Sequence, residues 1–382
     1  MLLTSRLLEL ILFCNFSIKK LLLDFIAIEL FLPVQLIIKK LFIILFLILC
    51  FPWTFSLHSS ELIIDDFGII TIMYHRFEEN KYPSTNIKMV DFINHLQIIK
   101  ENGIKFVNPS NFEDELNNYK NQRKVLVTID DGYQSFYNNA WPILKESKIP
   151  FILFISTREV GKKGYMSWED IREISKYNFV EIGNHSHTHE YLVDENKDLI
   201  KSDIEKSISI FKKELGRNSY FFSYPFGEYS LQFKDIIKSL GFKYAFGQHS
   251  GVMDETKDFY ELPRFPINEK YGEIKRFTSL TKTLPFKYKK IFPQEKYLLQ
   301  NKNPPMVKIK FHKNIKNLQT LNCYSNEGGK WRNSDIKFED ESSLLIHIKE
   351  KFVGERGRIN CSLRDPSGFW RWLGIQFVIA EN

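Results

Sequence analysis

Short apolar runs alternate with longer amphipathic ones through the first two thirds of the chain after residue 60. The apolar runs at 69–75, 104–107, 125–130, 151–155, 180–183, 220–224 and 244–247 read as strands. Between them lie helical rhythms. Ile200, Ile204, Ile208, Phe211 and Leu215 share one face, with Gly216 placed as a C-terminal cap. Phe233, Ile236, Ile237 and Leu240 repeat the pattern before Gly241. Ser167 with Asp170 makes a capping-box start, and Pro142 sits where a first helical turn tolerates it. This alternation predicts an α/β fold of parallel strands with crossover helices. Seven strands point to a barrel at least as strongly as to an open sheet.

The pattern changes after Ile267. Residues 275–305 show no sustained period and read as a linker between a domain at 61–274 and a second at 306–382. In the latter, apolar runs at 307–311, 318–324, 343–348, 357–363 and 370–379 alternate with turn signals such as Gly328-Gly329 and Pro366-Ser367-Gly368. They predict a small antiparallel, all-β sandwich. Trp331, Phe369, Trp370 and Trp372 lie near its turns. They stack on sugar rings in one reading and fill the sandwich core in the other, which the alternation along 369–377 favours.

Residues 1–60 are different again. Lys39-Lys40 precede an almost unbroken apolar run at 41–55, and Ser56, Ser59 and Ser60 follow. That is the grammar of a secretory leader, shorter than the roughly 20 residues a spanning helix needs. The earlier stretch 21–38 contains Asp24 and Glu29 and makes a poor span. The alternative is a later start codon near Ile37. The remainder is expected to be exported, periplasmic or anchored at the cell envelope, with membrane contact through the leader if it stays attached.

Composition narrows the classes. The chain has 382 residues, enough for about two or three domains, and its 43% hydrophobic content excludes disorder. A net charge of +7 is scattered rather than patched, so nucleic acid is not an expected partner. Four cysteines do not make a disulfide scaffold. Cys14 and Cys50 fall in the leader, while Cys323 and Cys361 either pair in an oxidising compartment or stay as buried thiols.

Two clusters carry chemistry. The strand Val125-Leu-Val-Thr-Ile-Asp-Asp-Gly132 ends in adjacent carboxylates, which point to opposite faces unless the turn begins between them. The bland reading is that Asp131-Gly132 merely turns the chain. The second cluster, Glu181-Ile-Gly-Asn-His-Ser-His-Thr-His189, places three histidines just beyond another strand. Two histidines and a carboxylate converging at strand ends suit a zinc ion with one open position.

These residues resemble the NodB-type polysaccharide deacetylases, carbohydrate esterase family 4. Thr128-Ile-Asp-Asp-Gly132 is similar to that family's Thr-Phe-Asp-Asp-Gly motif, and His185-Ser-His-Thr-His189 to its histidine motif. Tyr224-Pro-Phe-Gly227, Tyr74-His-Arg76 and Leu262-Pro-Arg264 resemble the branch acting on poly-N-acetylglucosamine. The likeness spans Ile69 to Ile267. It implies a distorted (β/α)7 barrel and hydrolysis of acetyl groups on an N-acetylated glycan. It also implies Asp130 as general base, with Asp131, His185 and His189 holding a divalent metal: zinc first, with cobalt, nickel or iron as alternatives. An oxyanion site then lies at Tyr224, Pro225 and Phe226, through a backbone N–H near Phe226. His187 stands at a variable position, behind the ligands or facing solvent.

The sequence departs from that pattern in two places. Ser223 stands where the family has an arginine that orients the base; Arg264 either fills the gap or is an ordinary surface arginine. No late histidine motif follows, which leaves His249 as candidate general acid against the reading of a solvated loop histidine. His75 either shapes the same cavity or packs in the core. Beside N-deacetylation, the residues leave open an O-acetyl esterase, a degenerate carbohydrate-binding protein and, from the leader alone, a membrane factor. Oligomeric state stays open.

Overall fold

Each of the seven expected strands is present. The computed structural model describes residues 67–312 and 315–380, all within the unit Leu62–Asn382, and the leader lies outside them. The strands are β1 (Ile69–Tyr74), β2 (Lys105–Phe106), β3 (Lys124–Ile129), β4 (Phe151–Ile155), β5 (Val180–Asn184), β6 (Phe221–Ser223) and β7 (Tyr244–Phe246). They pair in parallel in the order β1-β3-β4-β5-β6-β7. β1, β3 and β4 are buried along their whole length, as parallel strands covered on both faces must be.

The sheet is curled and distorted. β1 occupies one edge of β3 throughout, so β2 and β4 share the other: β2 takes Lys124 and Val125, β4 takes Val127 to Ile129. The continuous pairing stays open between β7 and β1, and a narrow strap bridges the gap. Leu262 of the strap bridges Phe246 of β7, and Phe265–Pro266 pairs with Ile72 and Met73 of β1.

The crossover helices form as their sequence signals dictate. Asn196 caps Lys197–Leu215 by accepting from the Asp198 and Leu199 amides at 3.0 and 3.1 Å. Its apolar face buries Ile200, Ile204 and Phe211, and Gly216 ends it at φ 73°. Ser167 and Asp170 make the expected reciprocal capping box. Among the described residues no helix is long and apolar enough to cross a membrane.

The stretch 275–305 is not a linker. It holds most of a helix, Ile274–Leu280, and three strands, Thr283–Pro285, Tyr288–Phe292 and Tyr297–Leu298, built into the two C-terminal sheets. In Tyr288–Phe292 only Ile291 is buried, Thr283–Pro285 is buried throughout and Tyr297–Leu298 is two residues long, so none carries an alternation to read. Nor is the second domain purely antiparallel, because Thr283–Pro285 and Tyr297–Leu298 pair in parallel with Trp370–Ile379. Between its sheets pack Val307, Ile309, Leu344, Ile346, Ile359 and Phe377. The four aromatic residues do not form that core. Trp331 and Trp370 are exposed, Trp372 packs on Phe265 and Phe369 on Phe67. On Trp370–Ile379 the inward positions are Leu373, Ile375 and Phe377, so Trp370 and Trp372 fall on the outer face.

That outer face lies against the barrel. The Gly374 amide donates to the Ser250 carbonyl at 2.6 Å, and a Cβ on Gly374 would meet that oxygen at 2.5 Å. Only glycine permits this approach.

Cys323 and Cys361 are register partners on adjacent strands and form a disulfide closing a 38-residue separation. Loop closure of that length is worth about 3–4 kcal/mol. The double variant Cys323→Ala/Cys361→Ala is expected to lose about that much in urea unfolding followed by tryptophan fluorescence. An unchanged midpoint would mean that the strand ladder alone holds the pair.

Candidate active site

The C-terminal ends of the curled sheet's parallel strands gather the functional side chains. Asp130 continues the β3 ladder, its amide donating to the Tyr74 carbonyl at 2.9 Å. The chain then breaks: Asp131 has φ 74° and Gly132 φ 73°. The turn thus begins between the two aspartates, and both carboxylates face the strand ends. Gly132 suits that left-handed backbone, and a Cβ there would also press on the Ile155 side chain, 2.7 Å from its Cδ1.

Three side chains converge. Asp131 Oδ1 lies 3.3 Å from His185 Nε2 and 3.2 Å from His189 Nε2, and the two ring nitrogens are 3.2 Å apart. His185 Nδ1 sits 2.6 Å from the Ser223 carbonyl oxygen, which can only accept. Its proton is therefore on Nδ1, and Nε2 turns a lone pair to the centre. His189 is turned inward by φ 56°, with its amide donating to Ser186 Oγ at 3.0 Å. Asp131 Oδ1 is buried without a hydrogen-bond partner. Burial opposes its ionisation, yet the facing imidazoles hold the carboxyl well below its ordinary range. A buried, unpartnered carboxylate oxygen facing two imidazole nitrogens is the donor set of a divalent cation, and the three atoms fit one with an open position.

Asp130 stands beside this triad, Oδ2 3.9 Å from His185 Nε2. Arg264 grips it from the strap, Nη1 to Oδ1 at 2.7 Å and Nη2 to Oδ2 at 2.8 Å. The guanidinium also donates to Thr128 Oγ1, Ser223 Oγ and the Gly247 carbonyl, at 3.3, 2.8 and 2.9 Å. Arg264 is completely buried, so it is no surface arginine. Burial pushes the Asp130 carboxyl up, but Arg264 outweighs it and holds the group below its ordinary range. Ser223 supplies the rest of the missing arginine's place, donating to Asp130 Oδ2 at 3.2 Å.

Other expected residues fall elsewhere. His249 is not brought to the triad. Its ring lies 6.1 Å from that of Tyr229, its carbonyl accepts from the Arg264 amide, and its buried Nδ1 has no partner. Burial, with Lys296 and Lys234 nearby, pushes it down to about 3, which leaves it neutral and without an acidic proton at pH 7. Tyr224 and Pro225 are buried scaffold; the Tyr224 hydroxyl donates to the Tyr260 carbonyl. His187 points behind the site, Nδ1 2.8 Å from Thr157 Oγ1. Phe226 does line the site, its ring edge-on to His189 at 4.7 Å and its backbone at φ 57°.

His75, at the end of β1, is the histidine that feels Asp131, Asp130, Arg264 and His185 together. Burial outweighs the two carboxylates and lowers its pKa.

Two aromatic rows escaped sequence reasoning, since their members are far apart in the chain. In one, burial and the neighbouring Asp131 push the Tyr133 hydroxyl up, and Arg76 lies 3.5 Å from its ring and 4.2 Å from that of Tyr82. In the other, Tyr191 stacks on Phe226 at 4.2 Å. Tyr82 and Tyr191 end the rows, each 41% exposed.

The fold and site define a class of α/β protein: a curled parallel sheet with a candidate divalent-cation site at its strand ends. Residues 117–245 match the family model described as polysaccharide deacetylase. The poly-beta-1,6-N-acetyl-D-glucosamine N-deacetylase of Staphylococcus aureus (strain MRSA252) is 30% identical over 171 residues, 41% of this chain and 59% of that protein. The chain thus spans about three fifths of the length of that curated relative. Among solved structures, IcaB from Ammonifex degensii is 26% identical with a TM-score of 0.52, covering 56% of this chain and 97% of that one. The Streptococcus pyogenes deacetylase PplD in complex with acetate, 21% identical with a TM-score of 0.52, covers 56% and 99% and shares the fold.

Metal analysis of purified protein is expected to find about one divalent ion per chain. His185→Ala and Asp131→Ala should each lose it on gel filtration, while Arg264→Lys keeps it. Full metal retention in both ligand variants would exclude the triad.

Proposed function

We propose that the protein is a metal-dependent N-deacetylase acting on N-acetylhexosamine residues of an exported or cell-surface polysaccharide. The observation that carries this reading is the cation-shaped triad beside a buried carboxylate locked by Arg264. The match to an N-deacetylase of poly-β-1,6-N-acetylglucosamine supports a polymer of that chemistry. The Cys323–Cys361 disulfide supports work in an oxidising compartment outside the cytoplasm.

Asp131, His185 and His189 would hold the ion, zinc first among divalent metals, which would supply Lewis acidity towards the amide carbonyl and acidify water. Asp130 takes the proton of the attacking water. Arg264 makes Asp130 a weaker base but fixes its orientation, a good exchange where the water is already acidified. The Phe226 amide donates to the oxygen that becomes negative. We read His75, which senses Asp130 and Asp131, as the relay that passes the proton taken up by Asp130 to the departing amine. The aromatic rows ending at Tyr82 and Tyr191 offer sugar-stacking faces either side of the triad, which suits a chain rather than a single sugar.

The test is acetate release from poly-N-acetylglucosamine. Chelator should abolish it and zinc restore it. Asp130→Asn should keep its metal and lose about 100- to 10,000-fold in kcat; near-normal turnover would remove Asp130 as base. Tyr82→Ala and Tyr191→Ala should each raise KM about 2- to 10-fold on long oligosaccharides and leave a small acetyl ester unaffected. Equal losses on both substrates would deny the rows a role in binding the chain.

A further inference from the structure

The second domain touches the loop that lines the metal site. In Tyr224-Pro-Phe-Gly227 both Phe226 and Gly227 have left-handed backbones, φ 57° and 71°. For a bulky residue such as Phe226 this backbone is strained and persists only where the surroundings enforce it. Part of that enforcement comes from the C-terminal sheet. Arg356 forms an ion pair with Glu228, the residue that follows the motif, and Glu228 is only 2% exposed. The Arg356 guanidinium also lies 5.8 Å from the Phe226 ring centroid. Gln376 donates to the Gly227 carbonyl at 3.4 Å and accepts from Arg358 Nε at 3.1 Å. Burial pushes the Glu228 carboxyl up to about 7 even beside Arg356, so the carboxylate depends on its partner to stay charged.

We infer that Arg356 is a positioning residue for the deacetylation: through Glu228 and Phe226 it holds the Phe226 amide towards the developing oxyanion, so the C-terminal β-domain completes the active site. The inference rests on the deacetylase reading above. It differs from a carbohydrate-binding role for this domain, because it acts on turnover rather than on affinity.

The experiment compares full-length, zinc-loaded wild type, Arg356→Ala, Arg356→Lys and Gln376→Ala on an N-acetylglucosamine oligosaccharide. Arg356→Ala is expected to lower kcat about 10- to 100-fold, with KM within about threefold and zinc content unchanged. Arg356→Lys should recover part of the loss, since it keeps the charge but not the planar contact with Phe226. Should Arg356→Ala fail to fold, Arg356→Lys and Gln376→Ala carry the test, each expected to lower kcat at constant KM. An unchanged kcat overturns the inference, as does a rise in KM at constant kcat, which would make Arg356 a direct substrate contact. Wild-type protein that releases no acetate removes the deacetylase reading and this inference together, an outcome distinct from a normal wild type with indifferent variants.

Discussion

The buried pair between Arg264 and Asp130 is the constraint on which the site depends. Placing two charges in the barrel mouth is costly unless every polar atom is answered. The guanidinium meets that condition: its five N–H donors face both Asp130 oxygens, Thr128, Ser223 and the Gly247 carbonyl. These partners come from the end of β3, the end of β6 and the turn after β7. Arg264 itself sits on the strap that joins the two ends of the sheet. The same contact that orients the base therefore ties the strap across the gap.

The metal side is built by strain rather than by charge pairing. Seven non-glycine residues among those described have positive φ, and four of them, Asp131, Ser186, His189 and Phe226, are at this site. Each turns a side chain or amide off the direction that a strand or ordinary turn would give it. Buried neighbours hold these conformations: the Ile155 side chain over Gly132, the Ser186 hydroxyl on the His189 amide, and the second domain behind Phe226. An exposed loop could not keep four such residues in one geometry.

The two domains share this site. The outer face of the strand Trp370–Ile379 is buried against barrel loops, which explains why residues such as Gln376 lose the exposure that alternation alone would assign them. Close backbone approach at Gly374 and the ion pair at Arg356 bring that sheet to the loops behind the strap and beside Phe226.

What the sequence determined by itself is local. Seven strands, the capped helices and the motif residues Asp130, Asp131, His185 and His189 are written in short-range periodicity and spacing, because burial on both faces and helix capping act over a few residues. The stretch 275–305 was illegible for the same reason, since strands of two to five residues are too short or too unevenly buried to show a period. The tertiary structure decided what depends on contacts between distant positions. It chose Arg264 over a surface role, 134 residues from Asp130, seated His249 beside Tyr229 and kept His75 near the carboxylates. It also joined Cys323 to Cys361 and carried Arg356 to Glu228, 128 residues earlier. Electrostatic pairing and packing act through space, and only the closed strap and the docked second domain bring those groups within reach.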